Sequence, residues 1–173
     1  GPQHLCECGC CIWPVVDRLG EQAAGHQVRG DRIEAGGVGV GDDHADADER
    51  EQRQRVEGIG RPRCEPSFLP GVIDHMIQVP DVATFAAMRV LAERVDHLPG
   101  GSTGTNLYAA LQVIRDMVDE GLSGSVVTLL CDPGERYRET YYSDAWLAQN
   151  GFDIAPYTAQ INRFLDTGVW LDI

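Results

Sequence analysis

The chain contains no lysine. All 14 of its basic residues are arginines, set against 27 Asp and Glu, for a formal net charge of −13. A GC-rich coding sequence accounts for the bias, but the chemical consequence does not depend on its origin. No reaction that needs a lysine amine, such as Schiff-base formation, can be carried by this chain alone. A surface this acidic repels phosphate backbones, which argues against a nucleic-acid partner. Long hydrophobic runs are lacking as well. The most apolar short stretch, Val126 to Cys131, has the length of a strand and not of a membrane span. No basic segment leads into an apolar one near the start, so no signal peptide is visible and the expected compartment is the cytoplasm. The chain opens Gly1-Pro2 without Met, and reads as a fragment, a processed product or a chain carrying a cleavage remnant.

What remains is enough for one domain. At 173 residues and 43% hydrophobic composition the chain can bury a core. The apolar residues are unevenly placed, however, and two unlike segments result: 1–55 and 56–173. The first is rich in Gly, Asp, Arg and Gln with few apolar anchors, and reads as irregular or disordered. The second is periodic. "DVATFAAMRVLAERV" sets Val82, Phe85, Met88, Val90, Leu91 and Val95 near one helical face, with Asp81 placed to cap it. "TNLYAALQVIRDMVDEG" repeats the pattern through Leu107, Ala110, Leu111, Ile114 and Met117, and Gly121 follows as a C′ residue. "SGSVVTLLCDPGERY" reads as a buried strand running into a turn, and "DHMIQVP" as a shorter strand stopped by Pro80. "SDAWLAQNG" and "APYTAQINRFLDTG" read as two further helices, each closed by a glycine. This order suggests part of an α/β layered domain.

Two clusters invite a metal reading and neither sustains it. Cys6, Cys8, Cys10 and Cys11 form "CECGCC", with His4 or His26 as a further donor. Structural zinc sites space their ligands as CxxC pairs across a longer loop, which this clump lacks. "DDHADADE", Asp42 to Glu49, lacks the glycine and terminal glutamate that an EF-hand loop requires, and reads as a solvated charge run. No metal site is expected.

The stretch "LPGGSTGTNLYAALQVIRDM" has two readings. Its glycines make a tight turn with Ser102 or Thr103 capping the helix, or they let backbone approach a ligand at which a hydroxyl is aimed. Taken in order, "VEGIGRPRCEPSFLP", "GGSTGTN" and "VVTLLCDPGERYRETYYSDAWL" resemble the C-terminal part of the cysteine synthase and cystathionine β-synthase family. That family consists of pyridoxal-phosphate enzymes of the tryptophan-synthase-β fold (fold type II). The resemblance implies a three-layer α/β domain, here incomplete, over residues 56–173.

By the same resemblance Ser102 binds the pyridine nitrogen of pyridoxal phosphate, while Gly58, Gly60, Gly101 and Asp132 line the cleft. A neutral hydroxyl there would not enforce a protonated ring, which suits β-elimination and β-replacement. Cys131 and Cys64 read as packed thiols. The departures matter as much. The cofactor-binding lysine is absent, and Gly36 to Gly41 is the nearest match to a phosphate loop but lacks threonine donors. An out-of-frame segment over residues 1–55 would account for the cysteine clump, the acidic run and the abrupt return of family-like sequence.

The expected function is therefore that of a fragment of a cysteine-synthase-like enzyme, inert alone. The complete enzyme would act on an activated serine such as O-acetylserine, as a homodimer, with no membrane or nucleic-acid partner. A non-catalytic partner of a full-length relative and a small Cys-cluster metal protein are the alternatives.

Overall fold

A computed structural model of the chain describes residues 11–12, 55–57, 59, 75 and 77–173. A two-residue strand β1 (Cys11–Ile12) pairs antiparallel with β2 (Ile77–Gln78), with Cys11 opposite Gln78 and Ile12 opposite Ile77. The segment expected to be irregular thus contributes one short strand. Pro80 stops β2 and at once starts helix α1 (Asp81–Arg94). The expected cap at Asp81 is not formed: Pro80 occupies the N-cap position without a side-chain bond, and Asp81 is the first helical residue. Its carboxylate instead accepts the backbone N–H of Arg55 at 2.6 Å, and burial raises its pKa above the usual value.

Helix α1 is the central element because it is apolar nearly all round. Ala83, Ala86, Ala87 and Val90 join Ile77, Val79, Tyr108, Ala109, Leu111, Ile161 and Phe164 in one cluster. Phe85 and Met88 point the other way, into a second cluster with Val56, Tyr137, Tyr141 and Leu147. Val82 and Leu91 are only half-buried and Val95 is exposed, so the expected stripe is shifted toward the alanines. Those small residues admit a close neighbour, helix α2 (Gly101–Asp119). A Cβ on Gly104 would lie 2.4 Å from the Thr84 carbonyl oxygen and 2.9 Å from Met88 Cβ, so the crossing requires glycine. Beside it the buried hydroxyls of Thr84 and Thr105 share a 2.8 Å hydrogen bond.

Helix α2 ends as expected. Gly121 adopts φ 65°, its N–H bonds Val118 at 3.1 Å, and Leu122 N–H reaches back to Met117 at 2.8 Å. This is the Schellman arrangement that satisfies terminal carbonyls. After a short 3₁₀ turn (Glu135–Tyr137), Ser143 caps α3 (Asp144–Gln149) by accepting the Trp146 N–H at 3.3 Å. Helix α4 (Ala155–Thr167) starts with Pro156 in its first turn, stops at Gly168 and packs on α1.

One expectation fails. The run Val126–Cys131 is extended but is not a buried strand: Val127, Leu129 and Leu130 are 55%, 69% and 61% exposed. A parallel-type strand is buried only when strands flank it and helices cover its faces. Among the described residues those layers are missing, and the only sheet is β1–β2. The described residues are therefore helix-rich, and no layered sheet is formed among them. No helix there is long and apolar enough to cross a membrane.

Candidate functional site

The glycine-serine turn does not cap its own helix. Gly100 is the N-cap of α2, with no side-chain bond at that position, and Ser102 and Thr103 lie within the first turn. Their hydroxyls reach the loop that follows the extended run. Ser102 Oγ donates to Asp132 Oδ1 at 2.9 Å, and Thr103 Oγ1 accepts the Cys131 N–H at 2.9 Å. The backbone is joined at the same place. Gly100 N–H donates to the Asp132 carbonyl at 2.9 Å, Gly134 N–H donates to Leu98 at 2.6 Å, and Pro99 and Pro133 form an antiparallel bridge between them.

Small residues permit this approach. A Cβ on Gly100 would fall 2.5 Å from Asp132 Oδ1, and one on Gly134 would fall 2.4 Å from the Pro99 carbonyl oxygen. Gly101 is buried against Val56, with 2.9 Å available to a Cβ.

Aromatic residues fix the outer side. The 3₁₀ turn returns Tyr137 toward Asp132, and its hydroxyl donates to Oδ2 at 3.0 Å. Burial and that carboxylate together push the Tyr137 phenol up to about 12. Tyr142 donates to the Pro99 carbonyl at 2.7 Å, and burial likewise pushes it up to about 12. Tyr141 stacks on Tyr137 at 4.6 Å, donates to the Arg55 carbonyl at 2.7 Å and accepts the Glu57 N–H at 3.0 Å. Residues 55–57 are thereby tied to the same loop. At the rim the exposed Arg136 pairs with Glu57 at 2.6 Å and lies over the Tyr137 ring.

Of the five residues singled out in the sequence, Ser102, Gly101 and Asp132 converge here. Gly58 and Gly60 lie outside the described residues, as do Cys64, Gly36 to Gly41, and all of the cysteine clump except Cys11. Among the described residues no group of His, Cys, Asp and Glu could hold a metal ion. Cys131 is not the packed thiol expected: it is exposed, within 3.4 Å of the Asn106 side-chain amide, because the extended run beside it is uncovered. Sequence reasoning missed Tyr137, Tyr142 and Thr103 as braces. The five-residue spacing of Asp132 and Tyr137 around Pro-Gly was the available signal for the first of these.

The donor set suits one end of pyridoxal phosphate. A half-buried hydroxyl beside glycine backbone at a helix start suits the polar edge of an aromatic ring. No lysine is present to bind the aldehyde, so the fit is to the ring end only.

No protein-family model matches the chain. Curated proteins do. The chain is 51% identical over 116 residues to the L-cysteine desulfhydrase Cds1 of Mycobacterium tuberculosis (strain ATCC 25177 / H37Ra), covering 67% of this chain and 32% of that protein. It is 37% identical over 95 residues to a putative cysteine synthase of Sinorhizobium fredii (strain NBRC 101917 / NGR234), covering 55% and 27%. It is also 35% identical over 98 residues to the N-(2-amino-2-carboxyethyl)-L-glutamate synthase of Cupriavidus metallidurans (strain ATCC 43123 / DSM 2839 / NBRC 102507 / CH34), covering 57% and 29%. The chain thus spans about a third or less of the length of these curated relatives.

Relatives of this kind imply that the helix-rich chain is a fragment of the fold type indicated by the sequence resemblance. Over the part that matches, the chain belongs to the cysteine synthase and cystathionine β-synthase family.

Proposed function

We propose that this chain is the C-terminal portion of a cysteine-synthase-like enzyme, to which it supplies Ser102 as the partner of the cofactor's ring nitrogen. The supporting observation is the seating of Gly100–Ser102 on Asp132–Gly134. Two stretches that the resemblance assigns to one cofactor-binding region meet there through side chain and backbone together. In the complete enzyme the reaction is β-replacement on an activated serine such as O-acetylserine by a sulfur nucleophile. Because the 51% identical relative bears the name desulfhydrase, elimination from L-cysteine is the competing reaction at the same site.

Bound pyridoxal phosphate would supply the electron sink that either reaction needs. This chain's residues position. Ser102 holds the ring edge, Gly101 and Asp132 line the cleft with Gly58 and Gly60, and Thr103, Tyr137 and Tyr142 keep the two loops in register. The chain has no lysine, so by itself it is inert. The homodimer and the amino-acid substrate belong to the complete enzyme.

The test is complementation. The chain is mixed with a lysine-bearing N-terminal portion of the mycobacterial desulfhydrase, and cysteine formation and sulfide release are both followed. Neither part alone should turn over, the mixture should, and Ser102→Ala should lower its rate. Turnover by the chain alone, or a folded mixture that stays inert, overturns the reading.

One observation favours a second reading, a non-catalytic partner of a full-length relative. Leu122, Val127, Leu129 and Leu130 are exposed along one continuous stretch. Size-exclusion chromatography with and without such a relative separates the two readings.

A further inference from the structure

Arg89 and Glu93 stand one helical turn apart on α1, a spacing at which two such side chains can join in an ion pair. They do not join. The Arg89 guanidinium is engaged elsewhere, its Nε donating to the Tyr141 carbonyl at 2.8 Å and its Nη1 to the Asp144 carboxylate. Its Nη2 is buried and has no hydrogen-bond partner among the described residues. Glu93 is exposed and has no ion-pair partner among them. Both residues line an open cavity of about 340 Å³, whose other walls are Ala92, Leu98 and Tyr142. That volume lies at the small end of ligand pockets, about 300–1,000 Å³. We propose that this cavity binds a free α-amino acid with a small apolar side chain, its carboxylate on Arg89 and its ammonium on Glu93.

A buried guanidinium N–H without an acceptor is unfavourable, and a ligand oxygen would satisfy it. Charge selects a zwitterion over a simple anion. Asp144 already neutralises part of the Arg89 charge, and Glu93 repels any carboxylate that enters beside it. An ammonium on the same ligand turns that repulsion into attraction. Tyr142 adds no charge, because burial pushes its phenol up to about 12, and its proton is donated to the Pro99 carbonyl at 2.7 Å. Ala92, Leu98 and the Tyr142 ring are left as apolar walls for the ligand side chain. None of the walls is Gly101, Ser102 or Asp132, yet the cavity is coupled to their turn. The Leu98 carbonyl accepts the Gly134 N–H at 2.6 Å, and Tyr142 holds Pro99, so two of the cavity walls also brace the two loops.

The probe is L-valine, titrated into the ¹⁵N-labelled full chain and followed through the backbone amides by NMR. The amides of Ala92, Glu93, Leu98 and Tyr142 should shift saturably at millimolar ligand, and that of Gly134 with them. Isovalerate lacks the ammonium and isobutylamine lacks the carboxylate. Each should bind at least about tenfold more weakly, because each loses one charge-assisted bond. Glu93→Gln, at an exposed position, should weaken L-valine about tenfold without weakening isovalerate. Arg89→Gln should abolish binding of both. That variant also loses the ties to Tyr141 and Asp144, so Glu93→Gln and the two analogues decide the matter if it fails to fold. Absence of saturable shifts with L-valine in the native chain overturns the proposal. Equal affinities for L-valine and isovalerate overturn it too, since they show an anion site alone. Shifts confined to Ser102 and Asp132 overturn it by placing the ligand at the turn instead.

Discussion

Ser102 and Asp132 lie 30 positions apart and meet at 2.9 Å, side chain to side chain. That contact joins the start of α2 to the loop that carries Asp132. A serine in the first turn of a helix ordinarily serves its own backbone. Here the hydroxyl serves a distant carboxylate, and the N-cap of α2 has no side-chain hydrogen bond.

The closeness of the two loops should be sensitive to a single methyl group. Gly134→Ala would put a Cβ 2.4 Å from the Pro99 carbonyl and 2.9 Å from that of Leu98, both backbone atoms that cannot step aside. Overpacking of this kind costs about 1–3 kcal/mol. Urea denaturation should show that loss, together with weakened protection of the Gly100 amide in hydrogen exchange.

Gly104→Ala tests the helix crossing in the same way. Its Cβ would meet the Thr84 carbonyl at 2.4 Å, and forcing α1 and α2 apart would break the buried Thr84–Thr105 bond. The expected loss is about 2–4 kcal/mol, the overpacking cost with the lost hydrogen bond added. Gly121→Ala is the contrasting case: nothing crowds its Cβ, and only the left-handed φ of 65° opposes it. It should cost about 1–2 kcal/mol.

Phe85 is fully buried, with ring centroids 4.7 Å from Tyr141, 5.1 Å from Phe152 and 6.0 Å from Trp146. It links α1 to the aromatic wall behind the site. Phe85→Ala should lower stability by about 3–5 kcal/mol in chemical denaturation. It should also loosen the Tyr141 contacts to residues 55–57.

Alkaline pH should destabilise the chain through its tyrosines. Burial pushes Tyr137 and Tyr142 up to about 12 in the folded chain, above the ordinary phenol value of about 10, so the folded state holds their protons longer. For a raised pKa the associated stability is fully present below pH 10 and is lost as pH rises through about 12. Because the chain has no lysine, tyrosines dominate titration in that window. Tyrosinate absorbance should therefore track unfolding, and Tyr137→Phe should flatten the stability curve between those limits.

Local features were readable in the sequence and non-local ones were not. Gly121, Gly151 and Gly168 each adopt the left-handed φ that their positions after helical runs imply, and Ser143 caps the helix it precedes. These depend on neighbours in sequence. Asp81 had equally good local credentials as a cap, yet Pro80 took the position and the carboxylate was drawn to Arg55, 26 residues away. The run Val126–Cys131 has a strand's composition, but burial is conferred by neighbours, and Leu129 stands 69% exposed. Ser102 was legible as a candidate through motif order. Its commitment to Asp132 was not, because neither residue's spacing announces the other.

The most direct measurement is the absorbance spectrum of the purified chain after incubation with pyridoxal phosphate and exhaustive dialysis. A chain that carries a ring-end receptor but no lysine should return to its tyrosine and tryptophan spectrum, with no retained cofactor band. A stable band in the visible or near-ultraviolet, lost on Ser102→Ala, would contradict the claim that this chain holds only part of the cofactor site.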